Sequence, residues 1–270
     1  MSTSRRRRAR EARRDMLVIV TLTVLVLAAL GAAGYWFKGN LDQRKNPVSL
    51  CPESSKPNGH IVLLIDTTDP LTFTQKRAVK QRLEHIASKE VREGQLLSLF
   101  VFGEDYKTLP DPVFEKCNPG SAEGKSEWTA NLKRIDQKYQ KDYLQPLRDA
   151  SEIVFADRPG AQSPIMEMLQ MVAINGFRRH GIEGDLRLIV VSDMLHNTKG
   201  YSLYRGDQEF SEFRKTAYYQ RIRTEFPRVK VEIDYLMHSP ELQRVKNALF
   251  WEEYFDDAKA ALGPINTIEG

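Results

Sequence analysis

Short apolar runs alternate with longer amphipathic stretches along most of the chain. The apolar runs predict strands at residues 61–66 (IVLLID), 96–102, 186–193 and 229–237. Apolar side chains at an approximate 3–4 spacing predict helices at residues 71–91, 131–154, 165–177, 208–225 and 239–263. Alternation of this kind predicts an α/β fold with a mostly parallel central sheet and helices on both faces.

A different pattern precedes this alternation. Residues 1–15 form a basic tail, in which seven arginines stand against Glu11 and Asp15 and the net charge is +5. Residues 16–37 carry no charged side chain, and these 22 residues would span about 33 Å as a helix, enough for a hydrocarbon core of about 30 Å. The pattern predicts one transmembrane helix, with the tail in the cytoplasm and the rest of the chain outside.

A cleaved signal peptide is the alternative for residues 16–37. The uncharged run is longer than the roughly 7–15 residues of a signal peptide, and Tyr35, Trp36 and Phe37 follow where a cleavage site needs small side chains. The sequence therefore favours an uncleaved, single-pass anchor in the inner (cell) membrane, with the C-terminal domain periplasmic or extracytoplasmic. Small side chains between residues 28 and 34 would also allow oligomerisation through this helix.

The charge beyond the anchor is close to balanced. Of the formal net charge of +4, the tail contributes +5 and Lys38 contributes +1, so residues 39–270 carry −2 and lack a basic patch for nucleic acid. Residues 38–59 are polar and contain three prolines, which predicts a linker. The pattern predicts one α/β domain over residues 60–263 and a C-terminal tail over residues 264–270. We expect the membrane and a partner protein as binding partners.

The two cysteines, Cys51 and Cys117, both lie on the predicted outer side of the membrane. In an oxidising compartment such a pair indicates one disulfide, which would join the linker to the loop after the second strand. Two free, buried thiols are the alternative. The spacing does not suit a zinc site.

Oxygen-bearing side chains follow two of the predicted strands. Asp66, Thr68 and Asp69 come after the first strand, and Ser192 and Asp193 come at the end of the third. The carboxyl ends of parallel strands meet at one edge of a sheet, where ligands of open α/β sheets bind. Carboxylate and hydroxyl oxygens suit a hard cation, so we expect Mg²⁺ or Mn²⁺ to bind there.

This arrangement resembles the von Willebrand factor A domain family over about residues 60–262. In that family a metal-ion-dependent adhesion site begins with Asp-x-Ser/Thr-x-Ser after the first strand. It adds a threonine before a central helix and an aspartate after the fourth strand. Here DTTDP supplies Asp66 and Thr68, AQSPIMEML places Ser163 at the threonine position, and IVVSDMLHN supplies Asp193. The resemblance implies a binding module whose metal accepts a carboxylate from a partner.

The sequence departs from that motif at one position. Pro70 stands where the family has its second hydroxyl, so one ligand is missing, and Asp69 supplies a carboxylate one residue earlier. A degenerate site is therefore an alternative, in which the polar residues only cap helices and end strands. In that alternative the protein is a metal-free scaffold.

An enzyme is the other alternative. Phosphatases of the haloacid dehalogenase type need Asp-x-Asp after the first strand, and threonine replaces the second aspartate here. No Gly-x-Ser-x-Gly elbow occurs, and no complete Walker-type loop does either, because Pro119 stands where that loop has the glycine that precedes Gly124-Lys125-Ser126. Asp66, Asp193 and His196 around a cation, with Ser163 or Ser192 as nucleophile, would suit a hydrolase. Because no complete catalytic motif is present, we expect a non-catalytic, membrane-anchored binding module in an envelope or transfer complex.

Overall fold

The computed structural model describes residues 16–17, 19–35, 44–104, 110–126, 131–152, 160–205 and 209–268. The predicted basic tail and part of the predicted linker lie outside these ranges. The chain divides into two compact units, one of Met1–Lys45 with Pro52–Ser55 and one of Asn46–Cys51 with Lys56–Gly270.

The first unit contains an apolar helix. Residues 16–17 and 19–35 are helical, and the large apolar side chains of these residues are all more than half exposed. The hydroxyls of Thr21 and Thr23 each donate to the carbonyl four residues earlier at 2.8 Å, so the helix satisfies these polar groups internally. Within the described ranges, no helix combines the length and the apolar character that a membrane crossing requires. The predicted span, residues 16–37, extends beyond those ranges.

The second unit is built on a six-stranded sheet. Its strands in chain order are β1 Gly59–Asp66, β2 Leu96–Phe102, β3 Phe114–Cys117, β4 Asp185–Ser192, β5 Val229–Leu236 and β6 Ala261–Ile268. They lie in the order β3-β2-β1-β4-β5-β6, and all neighbours are parallel except β2 and β3. The four predicted strands and the mostly parallel sheet are therefore confirmed.

Helices connect the strands. They are α1 Phe73–His85, α2 Leu132–Lys138, α3 Gln145–Ser151, α4 Ile165–Met171, α5 Phe210–Phe213, α6 Ala217–Ile222 and α7 Val245–Asp257. Three π-helical segments extend or join them: Ile86–Glu90 follows α1, Tyr139–Leu144 joins α2 to α3, and Val172–Arg178 follows α4. The first three predicted helical stretches are confirmed, whereas the predicted helix at 208–225 is two short helices, α5 and α6.

Two apolar cores pack these helices against opposite faces of the sheet. Val62 and Leu64 of β1 lie in one core with side chains of α4, α5, α6 and α7. Ile61, Leu63 and Ile65 lie in the other core with side chains of α1 and of the α2–α3 segment. Every residue of β1 is buried, so its continuous apolar run is explained by cover on both faces.

Helix α1 begins at a capping box directly after the polar loop that follows β1. The Thr72 hydroxyl accepts the N–H of Gln75 at 3.2 Å, and Gln75 Oε1 accepts the N–H of Thr72 at 3.0 Å. Gln75 is completely buried. These reciprocal bonds hold the Gln75 amide in one orientation beside the carboxyl edge of the sheet.

The C-terminal region differs from the sequence prediction. The pattern predicts one helix over residues 239–263 and a tail over 264–270, but α7 ends at Asp257 and residues 261–268 form strand β6. Gly263 and Pro264 favour a helix end in the sequence. They are tolerated in β6 because this strand pairs with β5 alone at the edge of the sheet.

Cys51 and Cys117 form the predicted disulfide, with their Cα atoms 4.8 Å apart. Cys117 is the last residue of β3, and its backbone N–H donates to the Ser49 carbonyl at 2.8 Å. The bridge therefore ties the segment that precedes β1 to the antiparallel edge of the sheet.

Replacing both cysteines by alanine should lower the free energy of unfolding by about 4 kcal/mol, because the unfolded chain regains the entropy of a 66-residue loop. Denaturant titration of the oxidised wild type, the reduced wild type and the C51A/C117A variant measures this loss. The reduced wild type and the variant should unfold together, below the oxidised protein. Coincident transitions for all three would contradict a stabilising role of the bridge.

Candidate metal site at the carboxyl edge of the sheet

Asp66 is the last residue of β1 and the centre of a polar cluster. Its Oδ1 accepts the backbone N–H of Thr68 at 2.9 Å and the Thr68 hydroxyl at 2.7 Å. Its Oδ2 accepts the hydroxyls of Ser163 at 3.0 Å and Ser192 at 2.9 Å. All four residues are buried. Three segments that are far apart in the sequence therefore meet on one carboxylate.

Backbone hydrogen bonds position the loops that carry these hydroxyls. The N–H of Thr67 donates to the carbonyl of Phe102, at the end of β2, at 2.8 Å. Ser163 and Asn197 exchange two N–H to carbonyl bonds of 2.8 Å, which join the loop before α4 to the loop after β4. The sheet and these loop contacts together set the positions of the hydroxyl oxygens.

The hydroxyls surrounding Asp66 are suited to a second ligand. Asp66 in its ionised form only accepts hydrogen bonds, so Thr68, Ser163 and Ser192 each direct a proton at it. The oxygens of Thr68 and Ser163 keep lone pairs as acceptors, whereas Ser192 Oγ also accepts the backbone N–H of Met194 at 2.9 Å. Hydroxyl oxygens beside a second carboxylate, that of Asp193, are donors that fit a hard divalent cation such as Mg²⁺ or Mn²⁺.

Asp193 follows β4 and lies beside Asp66. Its Oδ1 accepts the N–H of Leu195 at 2.9 Å, whereas its buried Oδ2 has no hydrogen-bond partner in the described part of the chain. Burial is the main cause that raises the pKa of Asp193 to about 8, and the negative charges of Asp66 and Asp69 act in the same direction. A buried carboxylate oxygen without a partner destabilises the fold unless a proton or a cation neutralises it.

Burial also raises the pKa of Asp66, against the lowering effect of the hydrogen bonds that it accepts. No lysine or arginine is among the main influences on the pKa of Asp66 or of Asp193. The main influences are burial, hydrogen bonds and neighbouring carboxylates, none of which supplies a positive charge. A divalent cation would supply it.

His238, two residues after β5, belongs to the same cluster. One ligand atom each of Asp69, Asp193 and His238 lies within 4.8 Å of the other two. His238 Nε2 lies 3.2 Å from Gln75 Oε1, and its Nδ1 is buried with no hydrogen-bond partner in the described ranges. Sequence reasoning missed His238 because it considered the ends of β1 and β4 alone. Strand β5 ends at the same edge of the sheet, so a histidine just after this strand could have been predicted to join the metal site.

Gln243 fixes the loops that carry Asp193 and His238. Its Nε2 donates to the carbonyls of Asp193 at 3.0 Å and Leu236 at 2.7 Å. Its Oε1 accepts the backbone N–H groups of His238 and Ser239, both at 2.8 Å. The last helix is predicted to begin at residue 239, but Ser239 lies in this turn and α7 begins only at Val245.

His196, which the hydrolase alternative requires, is a core residue. Its side chain is fully buried, with Nδ1 3.4 Å from the Met166 N–H and Nε2 3.1 Å from the Tyr218 hydroxyl. Burial lowers the pKa of His196 to about 3, so the ring is neutral. Ser163 and Ser192 donate to Asp66, and neither forms the serine–histidine pair of a nucleophilic site.

The structure therefore brings all six residues of the predicted metal site to one edge of the sheet and adds His238 to them. Thr68, Ser163 and Ser192 bind Asp66 directly, while Asp69 and Asp193 form a second acidic group beside it. No protein-family model matches this chain, and no curated protein matches it in sequence. The functional interpretation therefore rests on the geometry of this cluster.

The raised pKa of Asp193 predicts a specific pH dependence of stability without metal. The pKa of folded Asp193 is about 8, so it keeps its proton up to that pH, whereas in the unfolded chain it loses the proton near its ordinary pKa of 3.8. The folded state binds more protons in this range, so this group lowers stability as pH rises from about 4 to 8, by at most about 1.4 kcal/mol per pH unit. D193N should therefore gain stability relative to wild type as pH rises.

Denaturant unfolding in EDTA at several pH values measures this difference. D185N is the matched control, because Asp185 is an exposed aspartate at the opposite end of β4. Asp185 forms an exposed ion pair with Arg92, away from the cluster, so D185N reports the effect of removing a carboxylate outside the site. A difference between D193N and wild type that stays constant from pH 5 to pH 8 would contradict the assigned pKa.

Proposed function

We propose that this protein is a membrane-anchored, non-catalytic binding module that holds a partner protein through a divalent cation at the carboxyl edge of its sheet. The observation that carries the proposal is the convergence of three hydroxyls on Asp66, next to the unpartnered oxygen of Asp193. Thr68, Ser163 and Asp193, oriented around Asp66, would hold Mg²⁺ or Mn²⁺. When bound, the cation supplies a positive charge that accepts a carboxylate of the partner.

The resemblance to von Willebrand factor A domains suggests this partner chemistry, since in that family the metal accepts a carboxylate from outside. Two findings support the resemblance: the mostly parallel sheet with helices on both faces, and the positions of Asp66, Thr68, Ser163 and Asp193 at its carboxyl edge. Pro70 in place of a hydroxyl is the departure, and it leaves fewer protein ligands on the cation. Fewer protein ligands leave more positions for water or a partner.

Tyr204 marks the side of the cluster that a partner would reach. Its side chain is 42% exposed, and it lies in a 3₁₀ turn, Leu203–Arg205, after the loop that carries Asp193. Its partial burial raises the pKa of the phenol, and the negative charges of Asp193, Asp69 and Asp66 add to this effect, so the ring lies next to the acidic group. Exposed tyrosines are enriched in protein interfaces, so we assign Tyr204 to the partner contact.

The proposed anchor is the uncharged stretch 16–37 behind the arginine-rich tail. The positive-inside rule assigns the tail to the cytoplasm and the α/β unit to the outer face of the inner membrane. The exposed apolar side chains of residues 19–35 support the anchor itself, and the orientation rests on the charges that flank it. The Cys51–Cys117 disulfide also supports that orientation, because such bridges persist in oxidising compartments outside the cytoplasm. This location suits an envelope or transfer complex.

Metal-dependent capture tests the binding part of the proposal. Full-length protein, crosslinked in its native membrane with Mg²⁺ or with EDTA, should retain its partner only with Mg²⁺. D66N should reduce capture by at least about tenfold, because it removes the carboxylate that orients three hydroxyls. Y204A should reduce capture while metal binding stays at the wild-type level.

D185N is again the control, since it removes a carboxylate from the opposite end of the sheet. Melting curves of each variant separate lost binding from lost folding. Capture that EDTA and D66N both leave undiminished, in folded protein, would overturn the cation-mediated interaction and favour the metal-free scaffold.

Protease treatment of intact cells with a permeabilised outer barrier tests the anchor. Digestion from outside should remove the α/β unit and leave the arginine-rich tail protected by the membrane. A fully protected α/β unit, cut only after the inner membrane is lysed, would overturn the proposed orientation. The fraction released by carbonate washing shows whether residues 16–37 anchor the chain at all.

A further inference from the structure

We infer that Asp69, Asp193 and His238 bind a divalent metal that accepts nitrogen ligands, and that this site prefers Zn²⁺ to Mg²⁺. This site shares Asp193 with the cation position proposed around Asp66, but it has a different ligand set and therefore a different metal preference. The inference rests on the proposed function only for the use of the metal in partner binding. The site itself follows from the contacts of three side chains.

The hydrogen bonds of Gln75 determine which nitrogen of His238 is free. Gln75 Oε1 accepts the N–H of Thr72 at 3.0 Å, so this atom is the amide oxygen and acts only as an acceptor. His238 Nε2 lies 3.2 Å from the same oxygen and therefore donates its proton to it. In the neutral ring this leaves a lone pair on Nδ1, which is buried and has no partner in the described part of the chain.

Asp193 provides the second free ligand atom. The residue is only 3% exposed, and its Oδ2 is the buried carboxylate oxygen without a hydrogen-bond partner in the described ranges. One ligand atom each of Asp69, Asp193 and His238 lies within 4.8 Å of the other two, so the free Oδ2 and Nδ1 belong to side chains that already stand together. Ligand atoms bound at about 2.0–2.2 Å in a tetrahedral shell are about 3.3–3.6 Å apart, so side-chain movements of roughly 1 Å would bring all three onto a single ion.

The kinds of ligand atom at this site favour one class of divalent metal over another. Mg²⁺ prefers an octahedral shell of oxygen atoms, whereas imidazole nitrogen suits Zn²⁺ and other first-row transition metals. The bond from His238 Nε2 to Gln75 is the outer contact that metal-binding histidines usually make, and it fixes the ring with Nδ1 as the free nitrogen. One nitrogen and two carboxylates therefore favour Zn²⁺, with a fourth position open to water or to a partner carboxylate.

A metal titration tests the inference. Untagged, full-length protein is first stripped of metal with EDTA and then titrated with Zn²⁺, Mn²⁺ and Mg²⁺ in competition with a chromophoric metal indicator. Zn²⁺ should bind at one site with an affinity on the order of 100-fold above that of Mg²⁺. H238A should lose at least about tenfold of the Zn²⁺ affinity and keep its Mg²⁺ affinity. H85A, which removes an exposed histidine of α1, should bind Zn²⁺ like wild type.

Co²⁺ in place of Zn²⁺ gives a second measurement that does not depend on partner binding. The visible absorption of bound Co²⁺ should change in H238A and disappear in D193N, while both variants remain folded by circular dichroism. Equal Zn²⁺ affinity of H238A and wild type, or preference of wild type for Mg²⁺, would overturn the inference. If capture still required Mg²⁺ in that case, the proposed function would survive. Tight Zn²⁺ binding together with metal-independent capture would overturn only the proposed function.

Discussion

Two carboxyl groups, Asp66 and Asp193, are buried side by side where the neighbouring parallel strands β1 and β4 end. Water is excluded there, so each ionised carboxylate needs hydrogen bonds or a positive charge close by. The fold provides more hydrogen bonds to one of these two carboxylates than to the other. Asp66 accepts four hydrogen bonds, whereas one oxygen of Asp193 is left without a partner in the described ranges. This inequality is the reason that the cluster suits a cation better than a purely structural role.

The cluster is a direct consequence of the sheet. Parallel pairing of β1 with β4 places Ile65 beside Val191, so the next residues, Asp66 and Ser192, end their strands together although 126 positions separate them. The loop before α4 then brings Ser163 in through its backbone pairing with Asn197. Loss of the strand register would therefore disperse the site, and the free energy that holds the site is that of the apolar cores on both faces of β1.

Much of this arrangement was predictable from local sequence. Strands such as β1 are continuous apolar runs because both faces are covered, and polar residues at their ends mark the carboxyl edge of the sheet. The 3–4 spacing of apolar residues predicted burial less reliably at the ends of a helix. Val79 and Leu83 of α1 are buried as their spacing predicts, but Phe73, at the first turn of the same helix, is 82% exposed. Spacing defines a face of a helix and does not say how far the neighbouring elements extend over it.

The remaining features depend on tertiary contacts that leave little trace in the sequence. Strand β6 contains Gly263 and Pro264, and only its pairing with β5 makes it a strand. His196 and His238 are both histidines shortly after a strand, yet one fills the core beside Tyr218 and the other lies between Gln75 and the acidic group. The difference is set by the helices that pack on each loop, and those are far away in the sequence.

The central claim is that Asp193, whose buried Oδ2 has no hydrogen-bond partner in the described ranges, binds a divalent cation at this edge. Anomalous diffraction from crystals grown with Zn²⁺, recorded on both sides of the zinc absorption edge, tests it most directly. We predict one strong anomalous peak bonded to Asp69, Asp193 and His238 Nδ1, adjacent to the hydroxyls around Asp66. Absence of a peak at these three residues, in crystals that contain Zn²⁺ and keep the same fold, would contradict this claim.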